Sequence, residues 1–464
     1  MKRSRLLALG TGILVVAVAG GTATAVVGST ARADREDGFA LAAGKAKPKN
    51  VIFFLGDGMG TQEITAARYY LGVHNALNVD RLPMTGFDTT WSVKPGAGAP
   101  YLPDYDPDSA STGSQWATGR KTLDERISQG PSTALDVPGT AYGTVLEAAQ
   151  KRGLKVGNVS TAEITDATPA VLASHISLRG CQGPADMANC PKETKAAGGL
   201  GSIAEQEADH KVDVLLGGGR ARFEQKITGG PDAGKTVVES ATAKGAQYVT
   251  DAAGLKAATP GKPVLGLFTA GNMSLEWSGP AASLGKGNTP VACTTGKRPA
   301  AEPSLADMTA SAIGLLENRK GFFLQVEGAS IDKQDHATNA CGQLGETAAF
   351  DKAIGVALDY QKKHPDTLVV VTADHAHTSQ IVAEDATGSG LPTGYSTNLL
   401  TADGQTLTLT YGTAGNGGAG AAPVATPPSQ QHTGSVVPVW AGGPGASQIL
   451  GTNDHTDLFH VLGG

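Results

Sequence analysis

The sequence predicts an α/β fold in which a central, mostly parallel sheet is flanked by helices on both faces. Short apolar runs recur along the 464-residue chain, and each is followed by a glycine-rich or polar turn and often by a helical pattern. Apolar runs without polar alternation are typical of strands buried on both faces. Their alternation with helical segments is typical of a parallel sheet. The composition agrees, because 40% hydrophobic residues suffice for a large core and 63 glycines suit many turns.

The N-terminus has the pattern of a secretory signal peptide, which we predict over residues 1–33. Three of the first five residues are basic, an apolar stretch follows over residues 6–18, and Ala31 and Ala33 form an A-x-A-like cleavage site. An uncleaved membrane anchor is the alternative. No second stretch approaches the ~20 apolar residues of a spanning helix. We therefore expect a secreted or periplasmic protein that keeps no stable membrane anchor after cleavage.

The charge of the chain argues against one class of partner. The formal net charge is -6, and it becomes -10 once the four basic residues within 1–33 are removed, since that segment contains no acid. An acidic protein is poorly suited to follow a phosphate backbone. We therefore expect no nucleic-acid partner.

Four cysteines are present, namely Cys181, Cys190, Cys293 and Cys341. An even number in an exported chain indicates disulfides, and three pairings are open. We favour the pairing of nearest neighbours, because each loop then closes locally. A four-thiolate zinc site is the alternative, and the absence of any C-x-x-C pair in the sequence argues against it.

The elements follow in order after a short polar lead (residues 34–50). The predicted buried strands are residues 51–55, 156–159, 212–216, 264–268, 322–326 and 368–371. Gly56, Gly58 and Gly60 permit a tight turn around Asp57 after the first strand. Residues 63–71 have helical spacing.

Two regions interrupt this pattern. The first is a predicted loop at residues 95–107, rich in glycine, proline and tyrosine. The second region is residues 387–428. It contains a threonine-rich alternating segment, residues 406–411, and then a low-complexity run of glycine, alanine and proline. We predict a small β-rich insertion with a flexible loop that returns the chain to the sheet near His432.

Polar residues from distant segments fall at the ends of the predicted strands. These residues are Asp57, Asp166, Thr168, Glu327 and Asp374. Ligands of open α/β sheets bind outside the carboxyl ends of the strands. The sequence therefore predicts one site along this edge of the sheet.

The segment 321–337 has the strongest metal-binding pattern. Asp332 and His336 lie four residues apart, so one helical turn presents both on the same face. A carboxylate and an imidazole in this arrangement suit a zinc-like ion. Glu327 lies too far back to share that ion and indicates a second metal. The alternative is a solvated acidic turn.

A second metal-binding pattern follows the last predicted strand. Asp374, His375 and His377 lie within four positions there, which suits a metal cluster or, alternatively, a polar turn with a capping aspartate. His432 adds an imidazole near the C-terminus. Arg179 offers a planar fork for two phosphate oxygens, although a surface arginine is the default interpretation.

Ser109 follows Asp108 and precedes small, helix-compatible residues. A serine at a helix N-terminus meets free backbone N–H groups, which favour an anion. An ordinary serine cap is the alternative. Neither G-x-S-x-G nor S-x-x-K surrounds Ser109, so a hydrolase triad is not indicated.

Six motifs together resemble the alkaline phosphatase family, in particular its bacterial periplasmic type. They are GDGMG, PDSAS, STAEITDATPA, VEGASIDKQDHA, VTADHAHTSQIV and QHTGS, in the family's order from Asp57 to His432. The resemblance implies one catalytic domain over residues 34–464. It also implies a secreted enzyme that hydrolyses phosphate monoesters through a phosphoserine at Ser109, with two zinc ions activating the nucleophile and the water.

The resemblance also implies a role for each matching residue. The first Zn²⁺ is expected on Asp332, His336 and His432, the second on Asp57, Asp374 and His375, and one Mg²⁺ on Asp57, Thr168 and Glu327. Arg179 is expected to bind the phosphate, oriented by Asp108. Asp166 and Lys333 match a carboxylate and a lysine near the metals in the bacterial type, and His377 matches a position beside a zinc ligand.

A homodimer is expected from the family, although the lead at residues 34–50 is shorter than the usual N-terminal arm. The nearest alternative activities are those of a phosphodiesterase or a sulfatase. Ser109 lacks the C/S-x-P-x-R context of a sulfatase nucleophile. A non-catalytic protein that binds structural calcium through the same carboxylates is the alternative from another class.

Overall fold

The computed structural model describes residues 47–384, 394–414 and 429–464. The predicted signal peptide lies outside the described residues, as do residues 387–393 and 415–428 of the predicted insertion. Among the described residues, no helix combines the length and the apolar character needed to cross a membrane.

The described strands are numbered in chain order. They are β1 (Asn50–Gly56), β2 (Met84–Thr89), β3 (Ser92–Val93), β4 (Pro103–Asp104), β5 (Lys155–Glu163), β6 (Val214–Gly218), β7 (Gln247–Val249), β8 (Val264–Leu267), β9 (Trp277–Ser278), β10 (Ser283–Leu284), β11 (Thr294–Thr295), β12 (Phe322–Gly328), β13 (Thr367–Ala373), β14 (Ala376–His377), β15 (Ser379–Val382), β16 (Tyr395–Leu400), β17 (Thr406–Tyr411), β18 (His432–Thr433), β19 (Val437–Gly442) and β20 (Gly451–Asp454).

The described α-helices are numbered in the same way. They are α1 (Thr61–Tyr70), α2 (Ser109–Thr118), α3 (Val145–Lys151), α4 (Ala167–Ala170), α5 (Ile203–Asp209), α6 (Arg220–Phe223), α7 (Val237–Ala243), α8 (Ala252–Ala257), α9 (Leu305–Leu316), α10 (Ser330–His336), α11 (Ala340–Lys363) and α12 (Leu458–Val461).

Ten of these strands form the central sheet, in the order β20-β2-β19-β13-β1-β12-β5-β6-β8-β7. The strands from β13 to β7 all run parallel, and β19 is antiparallel to both of its neighbours. All six predicted strands are present, so the α/β prediction with a mostly parallel sheet is confirmed. The sequence analysis missed β2, β7, β19 and β20, which lie toward the two edges of the sheet.

Two apolar layers cover the central sheet, one on each face. Along β1 the side chains alternate, so that Phe53 packs in one layer and Ile52 and Phe54 in the other. All three are fully buried, which stabilises the fold by roughly 1.5–3 kcal/mol for each side chain. The first layer includes apolar residues of α2 and α3, and the second includes those of α9 and α11.

Helix α2 is fixed to the sheet by Trp116. Its ring packs against Phe53 of β1, with ring centroids 5.7 Å apart, and its indole N–H donates to Gln325 of β12 over 3.1 Å. Because α2 begins at Ser109, these contacts hold the serine over the carboxyl ends of the central strands.

A second, four-stranded sheet has the order β10-β16-β17-β15. Strand β17 matches the predicted threonine-rich strand at residues 406–411, and it pairs antiparallel with β16 and β15. The predicted small β-rich addition is therefore present among the described residues. The short pair β14 and β18 joins His377 to His432 in register.

The cysteines form the predicted nearest-neighbour pairs, Cys181 with Cys190 and Cys293 with Cys341. The alternative four-thiolate zinc site is therefore wrong. The first disulfide closes the segment immediately after Arg179, and the second joins α11 to the loop that precedes α9.

Candidate active site

The ends of three adjacent central strands bring the predicted carboxylates to one edge of the sheet. Asp57 follows β1, Asp374 follows β13, and Glu327 is the penultimate residue of β12. In the parallel register Leu55 lies beside Glu327, and Gly56 lies beside Ala373. The three carboxylates therefore emerge side by side, and each is at most 4% exposed.

The first group of ligand-type side chains comprises Asp332, His336, His377 and His432, whose nearest donor atoms all lie within 4.8 Å of one another. Helix α10 presents Asp332 and His336 on one face, with 3.4 Å between Oδ1 and Nε2. His432 Nε2 lies 3.3 Å from the same oxygen. Buried His377 lies 2.7 Å from Oδ1 and holds that carboxylate in place.

Two backbone carbonyls fix the ring orientation of the histidines in this group. His336 Nδ1 donates to the carbonyl of Gln430 over 2.7 Å, and His432 Nδ1 donates to the carbonyl of Pro107 over 3.2 Å. In the neutral rings both Nε2 atoms are then unprotonated, yet they face each other at 2.9 Å. Two lone pairs at that distance require a proton or a metal ion between them, and this arrangement of Nδ1–H to carbonyl is typical of metal-binding histidines.

The second group comprises Asp57, Asp374 and His375. His375 Nε2 lies 3.3 Å from Asp374 Oδ2 and 3.5 Å from Asp57 Oδ1. The backbone N–H of Gly58 donates to Asp374 over 2.9 Å. The rings of His375 and His432 stack with centroids 3.6 Å apart, so the two groups adjoin.

Ser109 lies at the N-terminus of the ten-residue helix α2, beside the second group. Its Oγ is 3.2 Å from His375 Nε2 and 3.4 Å from Asp57 Oδ1. Asp108 is the N-cap and accepts from the backbone N–H of Ser111 over 2.9 Å. The hydroxyl therefore adjoins both a metal-type donor group and the positive end of a helix dipole.

Arg179 reaches the same place through Asp108. Its guanidinium donates to Asp108 Oδ2 over 3.1 Å, and its backbone N–H donates to the carbonyl of Glu125. The Arg179 side chain remains 28% exposed. The cap of the serine helix and the orientation of the arginine thus depend on one carboxylate.

A third set of oxygens lies on the other side of Asp57. Thr168 Oγ1 is 3.4 Å from Asp57 Oδ2, so one carboxylate contacts both Ser109 and Thr168. Ser160 donates to Glu327 Oε2 over 2.5 Å. Hard oxygen donors of this kind suit Mg²⁺.

Lys333 and Asp166 form an ion pair beside these groups, with 2.8 Å between Nζ and Oδ2. Gln182 donates to the other oxygen of Asp166 over 2.7 Å. The attraction of Asp166, Asp332 and Asp57 outweighs burial and raises the pKa of Lys333, so the lysine is a fixed positive charge.

The electrostatics of the site favour added cations. Burial, followed by the charges of Asp374 and Asp332, raises the pKa of Asp57 well above its usual range. Burial also raises the pKa of Glu327 to about 8, against the hydrogen bond from Ser160. Bare carboxylates are thus unfavourable here, and divalent cations relieve that cost. The donor types and the facing histidines therefore fit metal ions.

Several contacts of the site were missed by the sequence analysis. Ser160 is the first residue of the motif STAEITDATPA and directly follows the predicted strand 156–159, so its position offered a signal. The carbonyls of Gln430 and Pro107 carry no signal, because every residue has a carbonyl. Gln182 lies in a loop of mixed composition.

Comparison with known proteins agrees with this geometry. The family model described as alkaline phosphatase matches residues 48–420. Streptomycin-6-phosphate phosphatase of Streptomyces griseus is 46% identical over 430 residues, which cover 90% of each chain. Alkaline phosphatase of Escherichia coli K12 is 45% identical over 424 residues, which cover 89% of this chain and 85% of the relative.

Solved structures support the fold. Alkaline phosphatase of Thermus thermophilus superposes with a TM-score of 0.63 at 21% identity, covering 90% of this chain and 91% of the other. The enzyme of the Antarctic bacterium TAB5 gives 0.61 at 23% identity, covering 90% and 97%. The chain is therefore a metal-dependent phosphomonoester hydrolase that belongs to the alkaline phosphatase family.

Proposed function

We propose that the protein hydrolyses phosphate monoesters through a covalent phosphoserine at Ser109. The position of the Ser109 hydroxyl carries this proposal, because it lies at a helix N-terminus within 3.4 Å of Asp57 and within 3.2 Å of His375. No other hydroxyl among the described residues combines a helix N-terminus with both of these contacts.

We assign the metals to the three sets of donors. Asp332, His336 and His432 hold one Zn²⁺, Asp57, Asp374 and His375 hold another, and Asp57, Thr168 and Glu327 hold one Mg²⁺. When bound, these ions supply Lewis-acid stabilisation of the attacking and departing oxygens and favour the serine alkoxide. His377 orients Asp332 through its 2.7 Å contact.

Arg179 binds two non-bridging phosphate oxygens with its fork, and Asp108 sets the direction of that fork. The free N–H groups of α2 face the phosphate as well. The ion pair with Asp166 fixes the position of the Lys333 charge close to the site. Together these groups place the phosphorus in line with Ser109 Oγ.

The reaction proceeds in two displacements. Ser109 Oγ forms a bond to phosphorus while the bond from phosphorus to the ester oxygen breaks, and the departing alcohol takes up a proton. Water then attacks the phosphorus, the bond to Ser109 Oγ breaks, and inorganic phosphate leaves. Ser109 regains its proton, so one water is consumed for each ester hydrolysed.

Substitution of Arg179 tests the phosphate-binding role. We expect Arg179→Ala to weaken inhibition by free phosphate by roughly 10- to 100-fold, since a charge-assisted hydrogen bond contributes about 1.5–3 kcal/mol. Arg222→Ala is the control, because Arg222 pairs with Glu163 and Asp186 rather than with Asp108. An unchanged inhibition constant in Arg179→Ala contradicts the assignment.

The expected preference for monoesters over diesters follows from the guanidinium group of Arg179. A monoester presents three non-bridging oxygens, whereas a diester presents two and carries a second organic group next to Arg179. We expect turnover of an aryl monoester to exceed that of the matching diester by at least roughly 100-fold, a difference of about 2.7 kcal/mol in the barrier. Faster turnover of the diester contradicts the proposal and supports the phosphodiesterase alternative.

The biological setting is also part of the proposal. We propose that residues 1–33 direct export, that residues 34–464 form one catalytic domain, and that the mature enzyme releases phosphate outside the cytoplasm from monoesters with varied leaving groups. The name of the Streptomyces griseus relative makes streptomycin 6-phosphate a useful member of a substrate panel. A homodimer without a membrane anchor completes this picture.

A further inference from the structure

A second histidine-rich cluster lies apart from the candidate active site. It comprises Glu147, His175 and His210, and their nearest donor atoms lie within 4.8 Å of one another. Glu147 is on α3, His175 follows α4, and His210 is the C-cap of α5. Three separate segments therefore converge on this point, and none of the three residues takes part in the chemistry described above.

Both imidazoles of the cluster lie close to the same carboxylate oxygen. Glu147 Oε1 lies 3.3 Å from His175 Nε2 and 2.9 Å from His210 Nε2. Ligands of a tetrahedral zinc ion with bonds of about 2.0–2.2 Å lie roughly 3.3 Å apart. The distance to His175 has that spacing, and His210 needs to move outward by a few tenths of an ångström to admit the ion.

The hydrogen bond of His175 Nδ1 defines what its other ring nitrogen needs. Its Nδ1 lies 3.0 Å from the carbonyl of Ser128, and a carbonyl only accepts, so Nδ1 carries the proton. In the neutral ring the Nε2 lone pair then faces the Glu147 carboxylate. Two acceptors at 3.3 Å need a proton or a metal ion between them, and a ring fixed by an Nδ1–H to carbonyl bond is typical of metal ligands.

The backbone around the cluster is held in place before any ligand binds. Glu147 Oε2 accepts from the backbone N–H of Thr144 in a capping box, which leaves Oε1 for the cluster. Gln206 of α5 bonds to both the N–H and the carbonyl of His175, and Gln150 of α3 donates to the carbonyl of His210. A pre-organised donor set of this kind lowers the cost of binding.

Exposure leaves room for a fourth ligand. His175 is 7% exposed, whereas the side chains of Glu147 and His210 are 21% and 22% exposed. Solvent therefore reaches the outer side of the cluster, which leaves that side open to a water molecule as the fourth ligand of a tetrahedral ion.

We propose that Glu147, His175 and His210 bind an additional zinc ion, distinct from the metals of the active site. Its position gives it a structural role. His175 lies four residues before Arg179, and Ile176 exchanges backbone hydrogen bonds with Ile127. A zinc ion here ties α3 and α5 to the segment that carries the phosphate-binding arginine.

The zinc content of purified variants tests the proposed additional zinc ion directly. Four proteins are dialysed against the same zinc buffer, and zinc per chain is measured by elemental analysis. They are the wild type, Glu147→Gln, His210→Asn and a control, His74→Asn, in which an exposed histidine is replaced. Glutamine also serves in a capping box, so Glu147→Gln keeps the helix start. We expect Glu147→Gln and His210→Asn to hold one zinc fewer per chain than the other two proteins.

A second readout separates this zinc from the catalytic metals. Turnover of an aryl phosphate at saturating substrate is expected to be the same in all four proteins, because the cluster touches no reacting group. Added zinc is expected to raise the melting temperature further in the wild type than in Glu147→Gln. Equal zinc content in all four proteins overturns the proposal and leaves the cluster as a proton-bridged contact between a carboxylate and two imidazoles.

Discussion

Ser109→Ala is expected to lower turnover of phosphate monoesters by at least roughly 1,000-fold, since removal of an enzyme's nucleophile leaves only the catalysis due to binding and electrostatics. The bound metals should remain, because the Ser109 hydroxyl adds one neutral contact to a donor group built from Asp57, Asp374 and His375. Turnover and metal content measured on the same preparation therefore distinguish a lost nucleophile from a lost metal site.

A matched substitution lies on the same helix. Ser114 is buried, and its hydroxyl bonds to the carbonyls of Ala110 and Arg126 rather than to a group of the site. Ser114→Ala is expected to cost stability while it keeps turnover near that of the wild type. Acid quenching with a radiolabelled phosphate ester should trap labelled protein in the wild type and in Ser114→Ala only. Turnover of Ser109→Ala within a few-fold of the wild type would refute the phosphoserine.

The location of the candidate site at the carboxyl ends of the central strands could be predicted, because each of these strands is a continuous apolar run directly followed by a polar residue. Phe53 and Phe54 mark β1, and Asp57 comes three residues later. The same reasoning predicted that Glu327 and Asp374 lie at the ends of their strands. The sequence does not give the register of β1 with β12 and β13, which places the three carboxylates beside one another.

Strands that are not continuous apolar runs could not be predicted from the sequence. Strand β2 alternates buried and exposed residues and contains a glycine, and β20 is a four-residue edge strand, so neither resembles a buried run. Strand β19 contains Pro438, which usually argues against a central strand. The cluster of Glu147, His175 and His210 was also missed, because its members are spread over 64 positions and no local spacing relates them.

Removal of the divalent metals by a chelator is expected to abolish monoester turnover, with a loss of at least roughly 1,000-fold, and to lower the melting temperature. Several carboxylates of the site are almost fully buried. Without a cation to balance them, their buried charges lower the free energy of unfolding. Re-addition of Zn²⁺ with Mg²⁺ should restore both activity and stability, measured by aryl phosphate hydrolysis and by thermal unfolding.

The stability of the metal-free protein should depend on pH in a defined direction. Burial raises the pKa of Glu327 to about 8, above the value of about 4.3 for an unfolded chain, and burial also raises that of Asp57. The folded state thus binds the protons of these two carboxyl groups more tightly than the unfolded chain does. The stability that this proton binding contributes below pH 4 is lost as the pH rises toward 8. The gap in melting temperature between the metal-bound and metal-free proteins should accordingly widen from pH 5 to pH 8.

Calcium distinguishes the enzyme from a structural metal-binding protein. Ca²⁺ prefers six to eight oxygen ligands, whereas the two groups described above contain His336, His375 and His432, whose nitrogens suit zinc. Re-addition of Ca²⁺ alone to the metal-free protein should therefore restore little turnover. If Ca²⁺ restores the melting temperature in full while no metal restores hydrolysis, the site is structural and the catalytic assignment fails.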